Sequence, residues 1–362
     1  MENIRKTVLF KAYSDSNAKI VNFHGWSLPV YFSSIKEETI NTRRNISLFD
    51  ASHMGEFIIE GPEAESFVNY IITNSTVNLP DYKIVYSPVC NNNGGIIDDL
   101  LVYKYNSNKF LLVVNASNIV KDWNWLLNHS KNYKVNLNDV SDEFSLIAVQ
   151  GPQSVSLMKE FVRDADSLKY YTFIETKFKN IDIILSGTGY TGEKGFEILV
   201  NNSNAVEIWN TLLENGKKYK ILPAGLGARD VLRIEAGYPL YGNDLSEDIN
   251  PFEAGIGWTV KFNKEFIGRE SLESLRDNIK RKRFGIIMET NRVPRQDNEI
   301  FCNEEKIGYI TSGTYSFNLN KSIGMGFIDK NYLDKEKIDV RIHQKDYKGR
   351  LVTLPFINNI RR

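Results

Sequence analysis

The chain has 362 residues, with Lys+Arg and Asp+Glu each numbering 45, so its formal net charge is zero. A general nucleic-acid binder usually carries a basic excess, so this balance argues against one. Hydrophobic residues at 42% and charged residues at 25% are ordinary globular composition, and the length leaves room for two or three compact units.

The opening residues, Met1 to Lys6, contain no apolar core of a signal peptide. No uninterrupted apolar stretch approaches the roughly 18 residues of a membrane helix. A cytoplasmic protein without a membrane partner is expected. The two cysteines, Cys90 and Cys302, lie in unrelated contexts. They suggest buried structural thiols in a reducing compartment, not a disulfide framework.

Along the chain, two segments echo each other. Residues 56–60 read as a strand, Gly61-Pro62 as a turn, and 63–74 as a helix by apolar spacing. Residues 144–150, Gly151-Pro152 and 153–162 repeat that order. Each copy predicts a strand, a tight turn and a helix with proline at its first position. The echo suggests two related α+β halves. Between them, residues 83–89, 96–105 and 109–114 are rich in β-branched and aromatic side chains. Turns at 91–95 and 106–108 make these an antiparallel meander. Residues 121–128 and 205–213 predict amphipathic helices, with Trp123, Trp125 and Trp209 as packing residues.

Gly187-Thr188-Gly189-Tyr190-Thr191-Gly192 matches G-x-G-x-x-G. A dinucleotide site needs a helix after that motif. Here residues 181–185 and 195–200 are both strands, so the glycines form a loop between strands. Tyr190 and Glu197 flank it. A second glycine segment, Gly225 to Asp230, comes after apolar residues 219–222 and leads into a helix over 230–236. Arg229 falls in the first helical turn, where a cation gains nothing from the dipole. An anion, a carbonyl, or a salt bridge with Asp230 or Glu235 explains it better. Arg233, one turn later, could share that face. Beyond about residue 276, short strands at 284–289, 306–311 and 338–342 predict a small all-β barrel. The run Lys280-Arg281-Lys282-Arg283 reads as a solvated linker or helix end leading into it, or as a dock for an acidic protein partner.

Asp98 and Asp99 stand together inside an apolar strand. Burying a carboxylate costs several kcal/mol unless it is paired. Adjacent strand residues point to opposite faces, so the two cannot serve one pocket. Periodicity puts Asp99 with Ile97, Leu101 and Tyr103, and does not choose between the carboxylates. The four histidines, His24, His53, His129 and His343, have no metal-ligand spacing, and no metal is expected. His24 and His53 read as structural.

Taken in order, these segments resemble the T-protein family, the aminomethyltransferases of the glycine cleavage system. The matching stretches include Val21 to Trp26, Phe49 to Gly55, Gly94 to Leu100, Ile147 to Pro152, Thr188 to Gly192, Gly225 to Gly237 and Ile310 to Thr314. Phe317, Lys194 and residues 242–247 depart from the usual pattern. A related folate branch carries a Lys-Gly-Cys-Tyr-x-Gly-Gln type motif, which is absent here. Demethylating relatives carry a flavin domain ahead of the module.

The resemblance implies an α+β fold with two ferredoxin-like folate-binding domains around a central channel, plus a C-terminal β-barrel domain. The two intertwined domains would span residues 1–275 and the barrel 276–362. The implied reaction moves one carbon from aminomethyl-dihydrolipoyl H-protein to tetrahydrofolate. Its products are 5,10-methylenetetrahydrofolate and ammonia. Partners are then lipoylated H-protein and tetrahydrofolate as co-substrate, with no metal and no nucleic acid. Family spacing selects Asp99 as the catalytic carboxylate beside folate N10. Glu197 matches the carboxylate that pairs with the pterin, and Arg229 an arginine of the same pocket. Tyr86, Asn115 and Tyr190 match wall positions. Arg295 and Arg361 are implied near the folate glutamate tail or H-protein.

Overall fold

A computed structural model describes residues 4–14 and 16–357. The echo seen in the sequence is structural. Strand Gly55–Glu60 turns at Gly61 into helix Ala64–Ile71, and strand Phe144–Gln150 turns at Gly151 into helix Ser154–Met158. Pro62 and Pro152 do not occupy the first helical position. A separate turn comes first, with Ala64 N donating to Gly61 O at 3.1 Å and Ser154 N to Gly151 O at 3.0 Å. The second helix is also shorter than its apolar pattern suggested. Beyond Met158 the bonds tighten, with Glu160 N on Leu157 O and Phe161 N on Met158 O.

Both turns depend on glycine. Gly61 has φ +144° and Gly151 φ +134°, a region that L side chains avoid. A Cβ on Gly61 would lie 2.3 Å from Lys134 O, and one on Gly151 would lie 2.3 Å from Asn45 O. Gly151→Ala should therefore cost about 2–4 kcal/mol of stability. Denaturant unfolding measures this; a midpoint equal to wild type would show that the turn can relax.

Each half builds one sheet. The first runs Lys83–Cys90, Ile96–Asn106, Lys109–Val114, Gly55–Glu60, Asn136–Asp139. The second runs Phe173–Phe178, Ile181–Ser186, Gly195–Asn201, Phe144–Gln150, Ile46–Asp50, Ile221–Ala224. The expected meander is present, and in both halves its third strand pairs antiparallel with the strand that precedes the Gly-Pro turn. A helix comes after that third strand each time, Ile119–Ser130 and Asn202–Asn215. The halves differ at one edge. Ile46–Asp50, which precedes the first half in sequence, inserts into the second sheet between Phe144–Gln150 and Ile221–Ala224. This exchange intertwines the two α+β units.

Apolar packing orders the layers. Phe57, Phe67 and Leu112 bury the outer face of the first sheet against its helices, with Trp123 and Trp125 packed on that core. Leu157, Ile198 and Trp209 do the same for the second sheet. Between the sheets, Ile84, Tyr103 and Leu111 meet Leu146, Phe173 and Leu199. The sheets therefore pack face to face, with helices outside.

The C-terminal strands form a closed barrel in the order Arg281–Met288, Lys321–Asp329, Glu305–Ser316, Glu299–Cys302, Lys337–Ile342, Lys345–Val352. Arg281, Lys282 and Arg283 are therefore residues of the first barrel strand, not a linker. Their charge suggested solvent, but the arginines find partners within the protein. Arg281 reaches Asp248 O at 2.7 Å, and Arg283 Nε reaches Ala254 O at 2.8 Å from a buried position.

Candidate active site

A cavity of about 520 Å³ opens where the face-to-face packing of the two sheets ends and the barrel comes in. Its walls come from both halves. Asp99, Leu101 and Val113 stand on the first sheet, and Leu146, Ala148 and Glu197 on the second. Arg229, on helix Leu226–Glu235, closes a third side, with Arg283 and Leu354 from the barrel domain.

Asp98 and Asp99 do take opposite faces by alternation, paired in regular register with Val89 and Pro88, but the alternation breaks one residue earlier. The pairing register shifts between Val89 and Cys90, so that Val89 faces Asp98 and Cys90 faces Ile96. Ile97 sits in the resulting bulge and packs with Leu100 and Val102 on the helix side. It does not share a face with Asp99, as strict alternation predicted. The bulge adds one residue and re-aims the side chains beyond it.

Asp99 is half-buried and borders the cavity. Its Oδ2 accepts from Tyr86 OH at 2.9 Å, and its Oδ1 accepts from Asn115 Nδ2 at 2.9 Å. Burial first, then the negative charge of Asp98, push the Asp99 carboxyl up to about 7. The donors Tyr86 and Asn115 work the other way, as hydrogen bonds to a charged form do. The result is a carboxylate with fixed orientation and raised proton affinity.

On the second sheet, Glu197 Oε2 accepts from Thr188 Oγ1 within the glycine loop. Among the described residues, no donor meets Glu197 Oε1. Burial raises the Glu197 carboxyl, opposed by Thr188 and the Arg229 cation. The loop is held from behind. Gln150 Nε2 donates to Thr188 O at 3.1 Å and to Phe196 O at 3.2 Å. A Cβ on Gly189 would lie 2.0 Å from Gln150 Oε1, so only glycine lets this contact form.

The Arg229 guanidinium sits 5.1 Å over the Tyr190 ring, with Nη1 3.4 Å from His53 Nε2. Among the described residues it pairs with no carboxylate. The salt-bridge alternative is taken by its neighbour instead. Arg233 is buried on Asp230 at 2.8 Å and Asp244 at 2.7 Å, and does not reach the cavity. Tyr190 donates its hydroxyl to Pro239 O and stacks on Tyr238 at 5.8 Å, so it offers the cavity a ring face.

The cavity thus combines a flat aromatic wall, the carboxylates of Asp99 and Glu197 on opposing sheets and the Arg229 cation, which has no acidic partner among the described residues. That suits a planar heterocycle carrying both donors and acceptors, with a reacting atom beside Asp99. The chain matches the family model described as the GCVT N-terminal domain over residues 9–264. It also matches the glycine cleavage T-protein C-terminal barrel domain over residues 281–358. An aminomethyltransferase of Thermotoga maritima is 45% identical over 329 residues, covering 91% of this chain and 90% of that one. An aminomethyltransferase of Caldanaerobacter subterraneus is 45% identical over 361 residues, covering 98% and 96%. The crystal structure of the glycine cleavage system aminomethyltransferase T from Bartonella henselae superposes with a TM-score of 0.91 at 29% identity, covering 99% of both chains.

The chain belongs to the glycine cleavage T-protein family, the aminomethyltransferases. Of the residues that the T-protein resemblance implied, Tyr86, Asp99, Asn115, Tyr190, Glu197 and Arg229 line the one cavity. Arg295 does not; its Nη1 donates to Gly313 O at 3.2 Å on the exposed side of the barrel domain. Arg361 lies outside the described residues. Sequence reasoning missed Tyr171, Tyr238, Trp258 and Arg283, which also line the T-protein cavity. Arg283 was visible only as part of a charge run. Tyr171 and Tyr238 carried no local signal, because neighbours distant in sequence bring them there. Cys90 and Cys302 are both buried and free, and burial pushes the Cys90 thiol far up, so it is no ready nucleophile.

Proposed function

We propose that this chain transfers the aminomethyl carbon of lipoylated H-protein to tetrahydrofolate bound in this cavity, with Asp99 as the catalytic carboxylate. The observation that carries the reading is the carboxylate of Asp99, held by Tyr86 and Asn115 at the edge of an aromatic cavity. When bound, tetrahydrofolate supplies two neighbouring amines, N5 to take the carbon and N10 to close the ring.

The residues divide the work. Asp99 accepts a hydrogen bond from N10–H, orients that amine, and is positioned to take its proton. Tyr86 and Asn115 occupy the carboxylate from the protein side and leave its remaining lone pairs for the ligand. Glu197 Oε1, which no protein donor meets among the described residues, accepts from the amino group and ring N–H of the pterin. Arg229 meets a carbonyl or developing negative charge at that same end, and Tyr190 provides a ring wall. The fit rests on these unsatisfied groups, since an unpaired guanidinium and a half-solvated carboxylate are costly to hold against an apolar wall.

The family resemblance assigns Arg361 and Arg295 to the folate glutamate tail or to H-protein. Arg295, outside the cavity, fits a partner contact better. The reading divides the chain into residues 1–275 and 276–362, a division supported by the helix Arg269–Leu275 ending just before it. Among the described residues no helix is long and apolar enough to cross a membrane, and a cytoplasmic location completes the reading.

Ammonia release from aminomethylated H-protein, measured with and without tetrahydrofolate, tests the function. Rapid release should require both components. Release at the same rate without folate would remove folate from the reaction.

A further inference from the structure

Asp98 takes no part in the transfer chemistry assigned to Asp99, Glu197 and Arg229, yet it is the better-held carboxylate of the pair. It is fully buried on the helix side of the strand. Asn118 Nδ2 donates to its Oδ1 at 2.6 Å, Asn115 Nδ2 to the same oxygen at 2.8 Å, and the Asn115 backbone N–H to its Oδ2 at 3.1 Å. Burial raises the Asp98 carboxyl above the ordinary range, and the hydrogen bonds from Asp122, Asn115 and Asn118 pull against that shift by favouring the charged form. The Asn115 amide bridges the two acids, since its Nδ2 also meets Asp99 Oδ1 at 2.9 Å.

A third acid completes the cluster. Asp122, on helix Ile119–Ser130, is buried with its side chain against Asp98, and its Oδ2 meets no donor among the described residues. An ionised Asp122 would leave that oxygen orphaned beside a second negative charge. A protonated Asp122 donates to Asp98 and resolves both problems. Burial, then the Asp98 charge, raises the Asp122 carboxyl far above the ordinary range, in agreement with that state.

Other titratable groups face this cluster. Tyr86 donates to Asp99 from the adjacent strand, Tyr171 and Tyr190 stand near Asp99 in the cavity wall, and Tyr241 faces all three acids. Lys121 Nζ is held on Ile97 O at 2.6 Å and Tyr241 OH at 2.7 Å, with Glu247 3.8 Å away. The tyrosines stay neutral at working pH because burial raises them. Lys121 is half-exposed and shared with Glu247, so it offsets the buried Asp98 charge only in part.

We propose that Asp98 is a positioning residue for the transfer reaction: kept anionic by Asn115, Asn118 and a protonated Asp122, it places a fixed negative charge behind Asp99 and so makes Asp99 a stronger proton acceptor. This rests on the reading of Asp99 as the carboxylate that manages the N10 proton. Asp98 never touches substrate. It acts through space and through the shared Asn115 amide, and its own proton need not move.

The test is the pH profile of kcat/KM for methylenetetrahydrofolate formation. Asp98→Asn should move the acid limb down by about one pH unit, as removal of a neighbouring like charge does. The plateau should fall as well, because the weaker base transfers protons less readily. A merely structural role would lower the plateau and leave the limb in place. Asp98→Ser, whose hydroxyl can accept one of the asparagine donors, is the second variant should Asp98→Asn not fold. If the limb persists in Asp99→Asn, the reading of Asp99 falls and this inference with it. If the limb vanishes in Asp99→Asn yet stays put in both Asp98 variants, this inference alone is overturned.

Discussion

Asp99→Asn should form methylenetetrahydrofolate about 10²–10⁴-fold more slowly than wild type, the usual cost of losing a general acid–base group. The same variant should bind folate almost as tightly. Asparagine keeps the size of the side chain, and its carbonyl oxygen can still accept from Tyr86 or Asn115, which hold the carboxylate at 2.9 Å each. What it loses is the charge and the capacity to take a proton. The pH dependence has a definite sign. With the Asp99 carboxyl raised to about 7 by burial and by Asp98, the acceptor form predominates above that value. Wild-type kcat/KM should therefore fall as pH drops through about 7, and that limb should be missing in Asp99→Asn. Wild-type turnover by purified Asp99→Asn would sink the assignment.

The second large effect is on binding. Glu197→Ala should weaken folate binding by roughly 10²-fold. Two charge-assisted hydrogen bonds at about 1.5 kcal/mol or more each give about 3 kcal/mol. Glu197 Oε2 is committed to Thr188, so the loss includes both the ligand contact and one anchor of the glycine loop. Glu197→Gln separates these, because the amide keeps the volume and can still accept from Thr188. It should fall between wild type and alanine. At saturating folate, kcat should change far less than the dissociation constant, since Glu197 stands on the opposite sheet from Asp99. Titration of folate into purified Glu197→Ala checks this, and an unchanged dissociation constant would remove Glu197 from the pterin site.

Much of this site was legible because its residues sit in short motifs with local structural causes. The glycine loop was readable as a loop between strands, since residues 181–185 and 195–200 both carry strand-type sequence. Arg229 was marked by standing in the first turn of a helix, where its charge is unrewarded. The two halves announced themselves through the repeated Gly-Pro turn, and the reason is steric: each glycine holds a positive φ against a carbonyl 2.3 Å from where a Cβ would be. Among the local expectations that failed, two bear on the site and have equally local reasons. The bulge at Ile97 broke the alternation that had placed Ile97 beside Asp99. The Lys280 to Arg283 run looked solvated, but in the barrel strand its arginines find carbonyls of residues 248 and 254.

For the two carboxylates, composition and periodicity alone identified an expensive acidic pair on opposite faces of one strand. Family spacing preferred Asp99, and neither argument could say what Asp98 was for. That depended on tertiary structure. Asn115, Asn118 and Asp122 lie 17 to 24 residues downstream of Asp98 and meet it only because the next strand and helix fold back over this one. The wall opposite Asp99 belongs to a second sheet, completed by a strand, Ile46–Asp50, borrowed from ahead of the first. Hydrophobic pattern and turn chemistry are properties of neighbours in sequence, so the chain declares its strands, its glycine turns and its costly acids directly. The charge environment of each acid is a property of neighbours in space, and only the packed sheets decide it.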